Sequence, residues 1–121
     1  MSRRLSDCPS TPNCVSSQAR DPRHRVAPLR IAGPAEEVMN RVSQVVLSLP
    51  GARLQIADDT YLRAQVRTPL FRFVDDLELL LDSEAGLLHV RSASRVGGWD
   101  LGANRRRVEK LRRLLEDRAA R

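Results

Sequence analysis

Apolar positions change period along this chain, and each change marks an element. Ala35, Val38, Val42, Val45, Val46 and Leu49 recur at three- and four-residue steps, the spacing of one helical face. Gly33-Pro34 precedes that run and Glu36-Glu37 open it. Proline lacks the N–H that a first helical turn leaves unbonded, and acids suit the positive end of the helix dipole. Pro50-Gly51 ends the helix. The period then becomes two. Ala52–Ala57 and Tyr61–Arg67 read as strands around the turn Asp58-Asp59, with Leu62, Ala64 and Val66 facing one way. Phe71–Asp82 and Leu87–Arg95 read as two further strands, joined by Ser83-Glu84-Ala85-Gly86. Gly97-Gly98 closes the last one. Val108, Leu111, Leu114 and Leu115 then restore the helical period, with Asn104 placed as an N-cap.

Ahead of these elements, residues 1–23 carry Pro9, Pro12, Pro22 and many small polar side chains, and are expected to be an irregular segment. A first strand is expected at His24–Ile31, held to a sheet edge by Pro28. The order is β-α-β-β-β-β-α over residues 24–121. It predicts a single α+β domain, an antiparallel sheet of about five strands with two helices on one face. That order is similar to the TATA-binding-protein-like arrangement, a likeness that says nothing about function.

Composition narrows the possibilities. The chain has 121 residues with only 3% aromatics, so one mostly aliphatic core is expected. A net charge of +6 comes from arginine, Lys110 being the sole lysine. No apolar run approaches the roughly 18 residues that a transmembrane helix needs, and the start Met1-Ser2-Arg3-Arg4-Leu5 leads into Asp7 and prolines rather than an apolar signal core. The sequence as written is expected to remain in the cytoplasm.

Three segments concentrate chemistry. Cys8-Pro9-Ser10-Thr11-Pro12-Asn13-Cys14-Val15-Ser16-Ser17 holds both cysteines. Their spacing is not that of a two-residue redox motif or zinc knuckle. An ordered structural loop is the first reading, and a disulfide worth about 2–2.5 kcal/mol by loop entropy the second. A nucleophile or metal site ranks behind both. In the second segment, Asp76 and Glu78 share a strand face with Arg72, and cross-strand ion pairs with Arg63, Arg91 and Arg95 are expected. Asp75 falls in register with Phe73 and Leu77, which aims a carboxylate at the core. It must be paired, bonded to backbone, or displaced by a bulge, with Ser92 or Ser94 within reach. The third segment runs from Arg91 through Ser94, Arg95, Gly97-Gly98-Trp99-Asp100 to Asn104 and Arg105. It is a strand-to-helix connection with the makings of an anion site. The basic run Arg105–Arg113 is interrupted by Glu109, and reads as a solvated helix face. Nucleic acid is an unlikely partner for a chain so poor in aromatics.

These segments together resemble the domain of unknown function 1499 family of bacteria and chloroplast-bearing eukaryotes. The residues that carry the likeness are Cys8-Pro9, Pro12-Asn13-Cys14-Val15-Ser16-Ser17, Pro28-Leu29, Phe71 through Glu78, Arg91 through Arg95, and Asp100 through Arg105. The resemblance implies no activity. It implies that the three segments meet around one site, and that exported or membrane-anchored relatives exist, which qualifies the cytoplasmic expectation. The expected function is a non-enzymatic module binding a small polar ligand or a protein. Its site residues would be Cys14, Ser16, Ser17, Asp75, Asp76, Arg91, Ser94, Arg95, Asp100, Asn104 and Arg105, with no cofactor and no metal. The alternatives are a hydrolase or thiol enzyme using Cys14, and a binder of nucleic acid or anionic membrane through the C-terminal helix.

Overall fold

A computed structural model describes residues 4–69, 73–96 and 102–119, with side chains described as far as Glu116. The elements are β1 (Cys14–Ser16), β2 (Leu29–Arg30), α1 (Ala35–Leu47), β3 (Ala52–Ala57), β4 (Tyr61–Arg67), β5 (Val74–Asp82), β6 (Leu87–Ser94) and α2 (Ala103–Ala119). The sheet order is β1-β6-β5-β4-β3, with β2 also on β6, and every pairing between these strands is antiparallel. This is the expected α+β architecture. Phe71, Arg72, Gly97, Gly98, Trp99 and Asp100, which the sequence singled out, lie outside the described residues.

Three local expectations need correction. Cys14–Ser16 is a strand paired with Arg91–Ala93, although three residues are too few to display a period. The strand expected over His24–Ile31 is reduced to Leu29–Arg30, because Pro28 cannot donate and the chain before it follows α2 instead. Helix α2 starts at Ala103, so Asn104 stands inside its first turn rather than ahead of it.

The register divides the sheet into two chemically different faces. Across the inner face run Ala64, Leu77, Ser92 and Val15 in one row, and Leu62, Leu79 and Val90 in the next. Both helices close over this face. Val38, Val42, Val45 and Val46 of α1 and Val108, Leu111 and Leu115 of α2 join it in one aliphatic cluster. Met39 is buried beside them. Each such side chain contributes about 1.5–3 kcal/mol by leaving water. The outer face carries Tyr61, Arg63, Asp76, Glu78, His89 and Arg91 in alternating register.

The α1–β3 connection depends on Gly51, which adopts φ +79°; a Cβ there would stand 2.2 Å from the Arg67 carbonyl oxygen. Gly86 has φ +67° but open space, its nearest contact being 3.7 Å away. Gly51→Ala is therefore expected to lose distinctly more stability than Gly86→Ala, which bears only the left-handed penalty of about 1–2 kcal/mol. Urea unfolding of both variants checks this; equal losses would mean that the β3–β4 ladder yields to the added carbon.

Candidate functional site

At one end of the inner face the aliphatic rows give way to a polar one. Val66, Asp75, Ser94 and Asn13 face each other across β4, β5, β6 and the start of β1. Asp75 keeps regular pairing with Val66 and Ser94, with no bulge, so its carboxylate points at the helices and is 1% exposed. Arg107 answers it from α2, with Nη2 2.9 Å from Asp75 Oδ2. Arg107 Nη1 also donates to Asn104 Oδ1 at 2.8 Å and to Ser92 Oγ at 3.0 Å. Ser92 Oγ donates to Asn104 Oδ1 at 2.6 Å, while Asn104 Nδ2 donates to Ser94 Oγ at 2.9 Å and to the Asn13 carbonyl at 3.2 Å. Asn13 Nδ2 reaches the carbonyls of Ser94 and Val96. Thus the Cys loop, β5, β6 and the first turn of α2 meet in one buried network.

That network is closed. Asn13, Asp75, Ser92 and Asn104 are all buried, and none of them lines the clefts of about 690 and 560 Å³ beside the N-terminal segment. The sequence missed Arg107 as the partner of Asp75. The available signal was the i, i+3 pair Asn104/Arg107, which leads into the buried positions Val108 and Leu111.

Cys14 and Cys8 form a disulfide, so the bonded reading replaces the free ordered loop, and the thiol-enzyme reading loses its nucleophile. Cys14 and Ser16 both point to the outer face, opposite Ala93 and Arg91. Both are buried there by the N-terminal segment. Ser16 Oγ accepts the Gln18 N–H, and His24 Nδ1 lies 2.9 Å from the Cys14 carbonyl. Arg91 reaches Glu78 at 3.4 Å and donates to the Asp7 carbonyl at 3.3 Å. Arg95 grips Asp76 through Nε and Nη2, both at 2.9 Å, and Arg63 stands 3.5 Å from the same carboxylate. Tyr61 donates its hydroxyl to Glu78. The ion pairs expected from alternation are therefore present. Burial pushes the Asp76 carboxyl upward, but the Arg95 hydrogen bonds and charge, helped by Arg63, hold it below the usual carboxylate range. Arg105 is committed elsewhere, donating to the Arg23 and Arg25 carbonyls at 3.1 Å each.

Ser17 alone among the expected site residues lines the larger cleft. This space of about 690 Å³ lies on the outer face, between the N-terminal segment and the β5–β6 turn. Arg4, Gln18, Thr60, Asp82, Glu84 and His89 share it, over a floor that includes Leu80. Ser17 is fixed by its N–H to the Val90 carbonyl and by the Val90 N–H to its Oγ, each 2.9 Å. Its Oγ stands 3.0 Å from His89 Nδ1. That oxygen also accepts from the Val90 N–H, and the direction of its bond with Nδ1 follows the tautomer of the ring. Burial lowers the His89 pKa, the Asp82 carboxylate opposes the shift and the Arg4 guanidinium reinforces it. The ring is therefore neutral at pH 7. Among the described residues the Ser17 hydroxyl is the hydrogen-bond partner of the His89 ring.

Among the described residues there is no group of three or more His, Cys, Asp or Glu side chains able to hold a metal ion, and no helix is long and apolar enough to cross a membrane. A family model matches residues 4–115, almost the whole chain. The chain belongs to the protein of unknown function (DUF1499) family. No curated protein matches it. In this DUF1499 member Asn13, Asp75, Ser92, Ser94, Asn104 and Arg107 meet in the closed network, and Ser17 of the segment after β1 lines the open cleft.

Two outcomes follow. Removing one partner of a buried pair strands a charge, so Arg107→Met is expected to lose about 3–5 kcal/mol of unfolding free energy. Asp75→Leu combined with Arg107→Met should lose less than Arg107→Met alone, as read by urea titration; additive losses would mean that the pair is not electrostatically coupled. For His89, the unfolded imidazole binds a proton more readily than the folded one. Stability contributed by the neutral ring is thus present above the ordinary value of 6.5 and declines as pH falls below it. His89→Asn retains a hydrogen-bond partner for Ser17 without titrating, and is expected to flatten the decline in Tm below pH 6.5 relative to the parent.

Proposed function

We propose that this DUF1499 protein is a non-enzymatic binding module whose outer cleft takes a small polar ligand bearing both a cationic and an anionic group. The observation that carries the reading is a contrast in charge compensation. On the outer sheet face, Asp76 and Glu78 are each matched by arginine. Around the cleft, Arg4 and Glu84 have no ion-pair partner among the described residues, and the Asp82 carboxylate accepts only from the Ala85 N–H.

Charges of opposite sign that line one cleft without neutralising each other suit an amphoteric ligand, with the cation set against Asp82 and Glu84 and the anion against Arg4. The volume falls within the range of roughly 300–1,000 Å³ common for small-molecule sites. Ser17, Gln18 and Thr60 add hydroxyl and amide groups that can fix orientation. The buried network serves this reading as a brace: Asn13, Asp75, Ser94 and Asn104 set the position of β1 and therefore of Ser17 beyond it.

The test is a thermal-shift titration with free amino acids and dipeptides, each beside its N-acetylated and C-amidated counterpart. Zwitterions are expected to raise Tm, by an amount that corresponds to about 2.7 kcal/mol at a hundredfold excess over Kd. Arg4→Gln or Glu84→Gln should weaken the response without changing the ligand-free Tm. Equal responses to zwitterions and to singly charged counterparts, or none to either, would sink the reading.

A further inference from the structure

We infer that the solvent face of α2 is an electrostatic docking surface for an anionic lipid bilayer, independent of the cleft on the opposite side of the sheet. In the sequence, acids break up the basic run of this helix; in three dimensions Glu109 and Glu116 are drawn to one flank of it, where they share Arg112. Glu109 and Glu116 both turn to Arg112, with contacts of 3.0 and 3.9 Å. Arg112 in turn donates to the Ala27 and Pro28 carbonyls at 2.7 and 3.0 Å, which anchors this flank to the chain beside it. Arg107 faces inward to Asp75. From Ala103 to Glu116 the residues of α2 exposed as a whole are the cations Arg105, Arg106, Lys110 and Arg113, while the exposed carboxylates of Glu109 and Glu116 are engaged with Arg112. Exposed Arg25 adjoins them, since its carbonyl accepts from Arg105. Arg106, Lys110 and Arg113 follow one another at about 6 and 4.5 Å along the helix axis. Asp117 occupies the next position of that stripe and ends the run of cations.

The apolar stripe of the same helix, Val108, Leu111 and Leu115, is buried in the protein's own core. The surface therefore has no hydrophobic wedge, and adhesion would be peripheral and salt-dependent. Lipid fits it better than nucleic acid for two reasons. Headgroups diffuse laterally and can gather under any arrangement of cations, whereas duplex phosphates are fixed. The exposed positions also include no aromatic side chain on which bases could stack.

The experiment is co-sedimentation of the whole protein with phosphatidylcholine vesicles, with and without phosphatidylserine, over a salt series. Binding is expected only with phosphatidylserine and should fade as salt rises. Lys110→Ala with Arg113→Ala is expected to lower the partition coefficient about 30-fold, at one lipid-facing charge per substitution. Arg53→Ala with Arg67→Ala removes the same net charge from the opposite sheet face and should leave partitioning near the parent value. Three results would overturn the inference: no phosphatidylserine-dependent sedimentation, equal losses in the two double variants, or displacement from vesicles by duplex DNA at matched phosphate concentration.

Discussion

A single buried carboxylate sets the organisation of this protein. Asp75 sits in a strand whose other inward positions are leucines, and regular pairing gives it no route to water. An ionised carboxylate in such a place must be matched by a cation and by further hydrogen bonds. Arg107 supplies the cation, and its remaining N–H groups then need acceptors of their own. Ser92 and Asn104 meet that need, and Asn104 has amide hydrogens left over for Ser94 and for the Asn13 carbonyl. Each partner thus brings in the next, until four chain segments are fixed relative to one another.

This chain of obligations explains which parts of the structure were legible in the sequence. Periodicity reveals elements that repeat: α1, β3 and β4 appear where the apolar spacing puts them, and β5 and β6 agree except that the described residues Phe73 and Arg95 fall just outside them. Alternation also fixed the outer ion pairs, because register alone decides that Asp76 and Glu78 meet Arg63, Arg91 and Arg95. The same rule aimed Asp75 inward. It could not name Arg107, whose partner lies on a different element at a distance along the chain that no period encodes. Arg107 read as one more solvated cation because basic residues surround it on both sides. β1 escaped for a different reason, since three residues show too little alternation to stand out from a proline-rich loop. The disulfide was undecidable from spacing, as a six-residue separation is compatible with both bonded and free thiols.

Charge compensation separates structural from available groups. Arg95 and Arg63 share the Asp76 carboxylate, and Arg91 and Glu78 balance one to one. Such pairs at a sheet surface add about 0–1 kcal/mol each, and their main effect is that no carboxylate on that part of the face is left without a cation. Near the β5–β6 turn the compensation stops, and charges of both signs look into a shared space. On α2 compensation is one-sided: Glu109 and Glu116 are drawn to Arg112, and Lys110 and Arg113 stand outside those pairs. The net charge of +6 is therefore not spread evenly, and the location of its surplus is a more specific statement than its size.

β1 couples the two sides of the sheet. Val15 packs into the core, Asn13 at its head enters the buried network, and Cys14 points outward into the disulfide with Cys8. The segment from Arg4 to Thr11 has no strand or helix of its own. Beyond the disulfide, its described ties are the burial of Leu5, bonds from Leu5 and Arg4 to Gln18, the Asp7 carbonyl on Arg91, and Thr11 on Asn13. Arg4, which supplies the cation of the cleft, therefore depends for its position on a strand held by Asp75 and Arg107 from the other face. A buried pair that lines neither cleft is thus linked, through β1, to the placement of the segment that carries Arg4 on the other face.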